Sequence, residues 1–408
     1  MSQEKKCIVS IKNLYYYIND NKILNNINLN IHEGELVGLI GPNGAGKTTL
    51  LKCINGINEG QGTIQVNGFN LEELSLKRIA KEVALMHQNT TVAFPFPALD
   101  IVLTGRYPHQ RRTFSESKKD YQIARKYMKY TNTEKLEDTL ITEMSGGERQ
   151  RVLFAKVLAQ ETGLILLDEP TANLDIAHEE QVFHYAKELC NQQKTVIAAV
   201  HDLKIASRYC SRLVLMKDGG VISDGTPEEV LTTANLSEAY GVNALVYRNR
   251  TTGLLDFYIH GQERGKRDKR IHVIGGGGSA SGVMRGLFEK GYRITAGVFA
   301  HGDSDFQCAE IFNIKCVTCK PFSEIDEDSL KLNIEWIKNS DVTVLCNMPF
   351  GIQNLKNLEA AKHANSLVII EDDDPESRDF TGGRALEFYN SLKTKAVLTT
   401  SARLHEVL

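Results

Sequence analysis

The sequence predicts two α/β domains in tandem: a P-loop NTPase fold with an inserted helical lobe, then a smaller Rossmann-like domain. Three observations carry this. Short apolar runs alternate with helical stretches in two separate series. Each series contains a strand followed at once by a glycine-rich turn and a helix. Between the series lies a charged, glycine-containing segment with the composition of a linker. The expected boundaries are 1–260 for the first domain, 261–270 for the linker and 271–408 for the second domain. A chain of 408 residues suits two domains better than one.

In the first series, the apolar runs at 35–40, 164–167, 195–200 and 212–216 are bounded by polar turns. Such runs, with helices between them, predict buried strands of a largely parallel sheet covered on both faces. Between about 90 and 140 the pattern turns helical and more polar, as an inserted lobe requires. Thr226, Pro227 and Glu229 form a helix start, with a threonine cap, a proline in the first turn and a glutamate three residues on. The second series predicts strands at 271–274, 293–299, 342–346 and 367–370, again with helices between.

Lys and Arg total 48 against 51 Asp and Glu, a formal net charge of −3, so no basic excess argues for nucleic acid as a partner. The N-terminus has lysines but no apolar run behind them and does not read as a secretory signal. No stretch reaches the roughly eighteen apolar residues of a membrane helix. Work at a membrane then needs a partner to hold the chain there. Eight cysteines are sparse for this length and are expected to be free thiols. Cys316 and Cys319 have CxxC spacing, but one pair supplies two ligands where structural zinc takes four, and an ordinary reduced pair is expected.

Gly41, Pro42, Asn43, Gly44, Ala45, Gly46, Lys47 and Thr48 fit G-x-x-x-x-G-K-[ST]. The motif follows the run ending at Ile40 and precedes a helical stretch that begins with Thr49. Glycines let the backbone wrap a phosphate with its N–H groups inward, and the helix N-terminus adds partial positive charge. Lys47 reaches the β- and γ-phosphates of ATP, and the Thr48 hydroxyl suits Mg²⁺. The run at 164–167 ends in Asp168 and Glu169, whose side chains turn to opposite sides of the strand and so take different roles. Asp168 is the better Mg²⁺ partner, through water, and Glu169 is placed as general base for the attacking water.

Met144, Ser145, Gly146, Gly147, Glu148, Arg149 and Gln150 resemble the signature of ATP-binding-cassette (ABC) ATPases, with Met for Leu and Glu for Gln. The phosphate loop, Gln88, the signature, Asp168-Glu169, the 172–175 stretch ending in Asp175, and His201 follow in the order of that family. The resemblance covers about residues 7–250. It implies head-to-tail pairs of cassettes with two ATP molecules sandwiched between them; another copy of this chain is the expected second cassette, with a related chain as the alternative. Each ATP sits on one phosphate loop and is capped by Ser145, Gly146, Gly147 and Glu148 of the opposite subunit. By the same resemblance Gln88 binds Mg²⁺ and senses the γ-phosphate, His201 holds the γ-phosphate and attacking water, and Asp175 reaches across the dimer. The family commonly stacks an aromatic side chain on adenine. Here the matching position is Ile18, with Tyr17 as the tyrosine most able to shift in.

Gly105, Arg106, Tyr107, Pro108 and His109 resemble the stretch in cassettes that serve iron-siderophore, haem and cobalamin importers. That implies an ATPase on the cytoplasmic face of the cell membrane, bound to permease subunits and through them to an extracytoplasmic substrate-binding protein. Arg111 and Arg112 either face the permease or are simply solvated. The alternatives are a soluble, non-transport or regulatory ABC ATPase, and a fusion whose second domain is a cofactor-processing enzyme. In that domain, Gly275-x-Gly277-x-x-Ala280 fits the dinucleotide pattern and suggests an anion-binding turn. Asp303 and Asp305 come late for its usual acid, and Glu371, Asp372, Asp373 and Asp374 read as a solvated turn. A regulatory ligand-binding module is favoured over an enzyme, with a structural appendage close behind.

Overall fold

A computed structural model of the chain describes residues 5–87, 94–110, 116–170, 176–260 and 267–408, without the side chains of 176–178. The chain divides into two compact units, Met1–Gly241 with Arg248–Asp256, and Val242–Tyr247 with Phe257–Leu408. Residues 261–266 of the expected linker lie outside the described residues.

The first unit contains strands β1 (Cys7–Ile18), β2 (Asn21–His32), β3 (Leu36–Ile40), β4 (Gln61–Val66), β5 (Phe69–Asn70), β6 (Val83–Met86), β7 (Leu164–Asp168), β8 (Thr195–Ala199), β9 (Arg212–Lys217) and β10 (Gly220–Gly225). Its helices are α1 (Lys47–Ile54), α2 (Leu76–Glu82), α3 (Ala98–Leu103), α4 (Lys118–Tyr130), α5 (Gly146–Ala159), α6 (Ile176–Asn191), α7 (Leu203–Tyr209), α8 (Pro227–Val230) and α9 (Thr233–Tyr240). A six-stranded sheet runs β10-β9-β3-β8-β7-β6, parallel except for β10. Every residue of β3, β7 and β8 is buried, as the uninterrupted apolar runs predict. An antiparallel sheet β2-β1-β4-β5 shares one apolar core with it, built from Val9, Leu24 and Ile31 on one side and Val37, Leu166 and Ile197 on the other.

The lobe of α3, α4 and α5 is pinned by Arg106, which is only 4% exposed. Its guanidinium donates to Asp120 at 3.1 Å, to the Ala159 carbonyl at 2.7 Å and to Glu161 at 3.1 Å. His109 Nε2 lies 2.9 Å from the Gln160 carbonyl oxygen. Within the 105–109 stretch, Arg106 and His109 thus hold the lobe together, while Tyr107 is exposed. Arg111 and Arg112 lie outside the described residues.

A two-stranded ribbon follows, β11 (Asn243–Arg248) with β12 (Leu255–His260). The second unit continues with β13 (Arg270–Ile274), α10 (Ser281–Glu289), β14 (Arg293–Ala300), α11 (Ser304–Ile311), β15 (Lys315–Cys319), α12 (Glu327–Lys338), β16 (Val342–Leu345), α13 (Leu355–Ala361), β17 (Leu367–Ile370), α14 (Arg384–Lys393), β18 (Val397–Thr399) and α15 (Leu404–Val407). All six strands from β13 on are parallel, in the order β15-β14-β13-β16-β17-β18. That is the 3-2-1-4-5-6 order of a Rossmann sheet. Residues of α10, α11 and α15 pack in one core, with Leu245 and Tyr258 of the ribbon against it. Residues of α13 and α14 build a separate core with Leu345 and Ile369. Cys316 joins the first of these cores, whereas Cys319 joins a third cluster with Val298 and Ile325. The CxxC thiols therefore enter different apolar clusters, and both are free.

Candidate functional site

The C-terminal ends of β3, β8, β7 and β6 lie side by side, and the residues that follow them make the site. After β3 the chain turns at Gly41, whose φ is +142° and where a Cβ would sit 2.1 Å from the Met216 carbonyl oxygen. Only glycine fits there, and the loop is thereby seated against β9. Tyr240 of α9 braces it, its hydroxyl bonded to the Gly41 backbone and pushed up to about 12 by burial.

Lys47 opens α1 and folds its ammonium back onto the loop, donating to the Gly41 carbonyl at 2.7 Å and the Pro42 carbonyl at 3.0 Å. Burial lowers its pKa, opposed by the nearby Glu169 and Asp168 charges. The Thr48 hydroxyl donates to Asp168 at 2.7 Å. Burial raises the Asp168 carboxyl above its ordinary value; the Thr48 bond opposes this and the Glu169 charge adds to it. Two hard oxygen donors so joined fit a magnesium ion.

Glu169, immediately after β7, has φ +48°, a left-handed conformation unusual for a non-glycine residue. Its Oε1 lies 2.5 Å from Nε2 of His201, whose side chain is 45% exposed. The Gln150 amide donates to the Pro170 carbonyl and ties α5 to the next residue of the turn. His87, one residue past β6, carries a pKa lowered by burial and by Lys52, with the Asp168 charge opposing. Gln88 and Asp175 lie outside the described residues.

Residues 43–49 of the loop and helix, together with Ile18, Ile23, Glu169 and His201, line a cavity of about 650 Å³. Gly41 and Pro42 shape the loop behind this wall. On β1, Ile18 lines this cavity and Tyr17 does not. That part of the cavity wall is aliphatic, Ile18 with Ile23. Sequence reasoning missed Ile23 and Tyr240, because neither an apolar strand residue nor a helix tyrosine carries a motif.

Ser145 to Glu148 do not enter this cavity. Ser145 caps α5, donating its hydroxyl to Glu148 Oε2 at 2.7 Å, and its own N–H donates to the same oxygen at 2.9 Å. The Glu148 N–H returns a bond to the Ser145 hydroxyl, completing a capping box. Those bonds hold the Glu148 carboxyl below its ordinary value. Ser145 and Gly146 are exposed, so the end of α5 is open at the surface of the unit.

The family described as "ABC transporter" matches residues 24–172, and the "MJ0874 family" matches residues 294–405. The Halobacterium salinarum protein named "Cobalamin import ATP-binding protein BtuD" is 35% identical over 309 residues, 75% of this chain and 77% of the relative. That alignment is longer than the first unit. "Hemin import ATP-binding protein HmuV" of Plesiomonas shigelloides is 35% identical over 263 residues, 60% of this chain and 99% of the relative. Among solved structures, a metal-chelate-type ABC transporter in an inward-facing conformation aligns with TM-score 0.55 at 28% identity, covering 62% of this chain and 97% of that one. CbiO1 of Clostridium perfringens, from the ABC transporter complex cbiONQ, aligns with TM-score 0.51 at 27% identity, covering 58% and 97%. With its phosphate loop, carboxylate strand and signature helix on a matching fold, the chain belongs to the ATP-binding-cassette family and is an ATP-binding ATPase subunit of the ABC transporter type.

Proposed function

We propose that the chain hydrolyses Mg·ATP to drive an importer whose cargo is of the iron-siderophore, haem or cobalamin class. The observation that carries the chemistry is the Glu169–His201 pair, 2.5 Å apart on the wall of the phosphate-loop cavity. In this reading the loop N–H groups and Lys47 bind the phosphates, with Lys47 exchanging its bonds to the Gly41 and Pro42 carbonyls for phosphate oxygens. Thr48 and Asp168, with Gln88, hold Mg²⁺, which when bound neutralises charge on the β- and γ-phosphates. Glu169 accepts the proton of the attacking water, and His201 orients it against the γ-phosphate. The second cassette contributes Ser145, Gly146, Gly147 and Glu148 over the γ-phosphate, and Asp175 across the dimer.

The cargo class is supported by the relatives' names for cobalamin and hemin import and, independently, by the resemblance of the Gly105 to His109 stretch. Among the described residues no helix is long and apolar enough to cross a membrane. Attachment to the membrane is therefore assigned to permease subunits, and through them to an extracytoplasmic binding protein. The test is a pull-down of Glu169→Gln chain from solubilised membranes of the source cell with Mg·ATP. Recovery of a multi-span permease supports the transport reading. Recovery of ribosomes or DNA-repair complexes instead overturns it and leaves the ATPase standing.

A further inference from the structure

The sheet of the second unit changes its winding between β13 and β16, and ligands of such sheets lie outside the carboxyl ends of the strands at that switch point. Two loops meet there. A Cβ on Gly277 would lie 3.2 Å from Pro349, and one on Gly276 would lie 3.7 Å from the Asn354 amide. Gly277 holds φ +64°. A Cβ on Gly275 would sit 2.5 Å from that of Ala280, which is fully buried. The spacing Gly275-x-Gly277-x-x-Ala280 thus builds the tight turn and close helix packing of a dinucleotide fingerprint. The acid that accompanies such a loop, and that receives a ribose hydroxyl, stands here as Asp303 in the turn after β14. Its Oδ2 accepts the Gly277 N–H at 2.9 Å, and it is only partly buried.

The phosphate position is different. Asp305 is fully buried, and its Oδ1 accepts the Ala280 N–H at 3.1 Å and the Ser281 hydroxyl at 2.6 Å. The donors at the start of α10, where a pyrophosphate would dock, are therefore held by a carboxylate of this chain. Oδ2 of Asp305 is buried and makes no hydrogen bond. A group so placed accepts a donor and repels a phosphate. Ser279 of the same loop also borders a cavity of about 410 Å³ that runs past Val283 and Leu287 to Leu404, giving an apolar wall beside the crevice.

We propose that this crevice binds an uncharged nucleoside, or a similar ligand with a vicinal diol, through Asp303, and that Asp305 excludes dinucleotides by filling the phosphate position. The proposal puts an uncharged ligand where the glycine pattern alone suggested an anion, and it does not depend on the cassette's chemistry.

The test uses full-length chain carrying Glu169→Gln and preloaded with Mg·ATP, so that the first unit is occupied. Calorimetric titration with the four ribonucleosides and with NAD follows. At least one ribonucleoside binds ten-fold or more tightly than NAD, and its 2′,3′-dideoxy form loses at least ten-fold. Asp303→Asn, which keeps an oxygen for the Asp305 N–H that Asp303 Oδ1 accepts at 2.9 Å, loses a similar factor, while in the otherwise unaltered chain it leaves ATP hydrolysis unchanged. Asp305→Ala vacates the phosphate position, frees the Ala280 and Ser281 donors and brings NAD to within two-fold of the nucleoside. Binding of NAD as tight as any nucleoside, undiminished binding of the dideoxy form, or no binding by any ribonucleoside overturns the proposal. The dideoxy comparison stands even if a variant fails to fold.

Discussion

Replacing Ile18 by tyrosine puts the aliphatic reading of the adenine wall to the test. Ile18 is 50% exposed at the cavity and Ile23 lies on the same wall, so a bound base meets methyl and methylene groups on that side and no hydrogen-bonding edge. Stacking of a base on an aromatic ring is worth about 1–3 kcal/mol relative to alanine. Isoleucine already covers part of that area and the position is half solvated, so the lower end, about 1 kcal/mol, is the appropriate gain. That corresponds to roughly five-fold in Kd. The assay is equilibrium binding of Mg·ATP, Mg·GTP and Mg·CTP to chain carrying Glu169→Gln. The parent should discriminate ATP from GTP by less than about three-fold, because an aliphatic wall reads no base edge. Ile18→Tyr should tighten both purine nucleotides by about five-fold, and Tyr17→Ala should change neither by more than about two-fold, because Tyr17 does not line the cavity. A loss of five-fold or more in Tyr17→Ala, with no gain in Ile18→Tyr, would refute the assignment of the cavity wall.

Glu169→Gln should retain ATP affinity while steady-state hydrolysis falls by about 10²–10⁴-fold, the range for loss of a general base; unchanged turnover removes Glu169 from that role. Asp168→Asn should raise the melting temperature of the nucleotide-free chain at neutral pH and abolish Mg²⁺-dependent hydrolysis. The sign follows from burial, which raises the Asp168 carboxyl in the folded state; its contribution to stability is present below the unfolded pKa and lost as pH rises through the folded one. The stabilisation of Asp168→Asn should therefore vanish in acid, and a gain that persists there would contradict the cause. Arg106→Leu leaves the buried Asp120 without its cation and should cost about 3–5 kcal/mol, read as a fall in the denaturation midpoint of the full chain; a loss below about 1 kcal/mol would mean that the lobe is held elsewhere.

The phosphate loop and the Asp168-Glu169 strand end were legible because each is a local device: strand, turn and helix lie within a few residues and their residue types are dictated by close backbone approach. Their mutual placement follows from parallel pairing of β3, β8 and β7, which short apolar runs predict. Ile23 and Tyr240 were not legible, since each reaches the loop from a distant element and is chosen for shape. Arg106 sat in a recognised stretch, yet its partner Glu161 lies far along the chain, so its burial was invisible. In the glycine loop of the second unit the local device was legible and its long-range partners were not. Its local pattern was read correctly as a tight turn, but the residues that occupy its donors, Asp303 and Asp305, come from the next strand's turn.

The left-handed backbone of Glu169 bears on how this protein responds to selection. A non-glycine residue in that conformation costs on the order of 1–3 kcal/mol, and glycine removes the penalty along with the carboxylate. A randomised library screened only for heat resistance should therefore enrich glycine or asparagine at position 169, and the survivors would be sturdier proteins that no longer turn over ATP. Keeping glutamate there requires a screen that counts phosphate released as well as protein left folded.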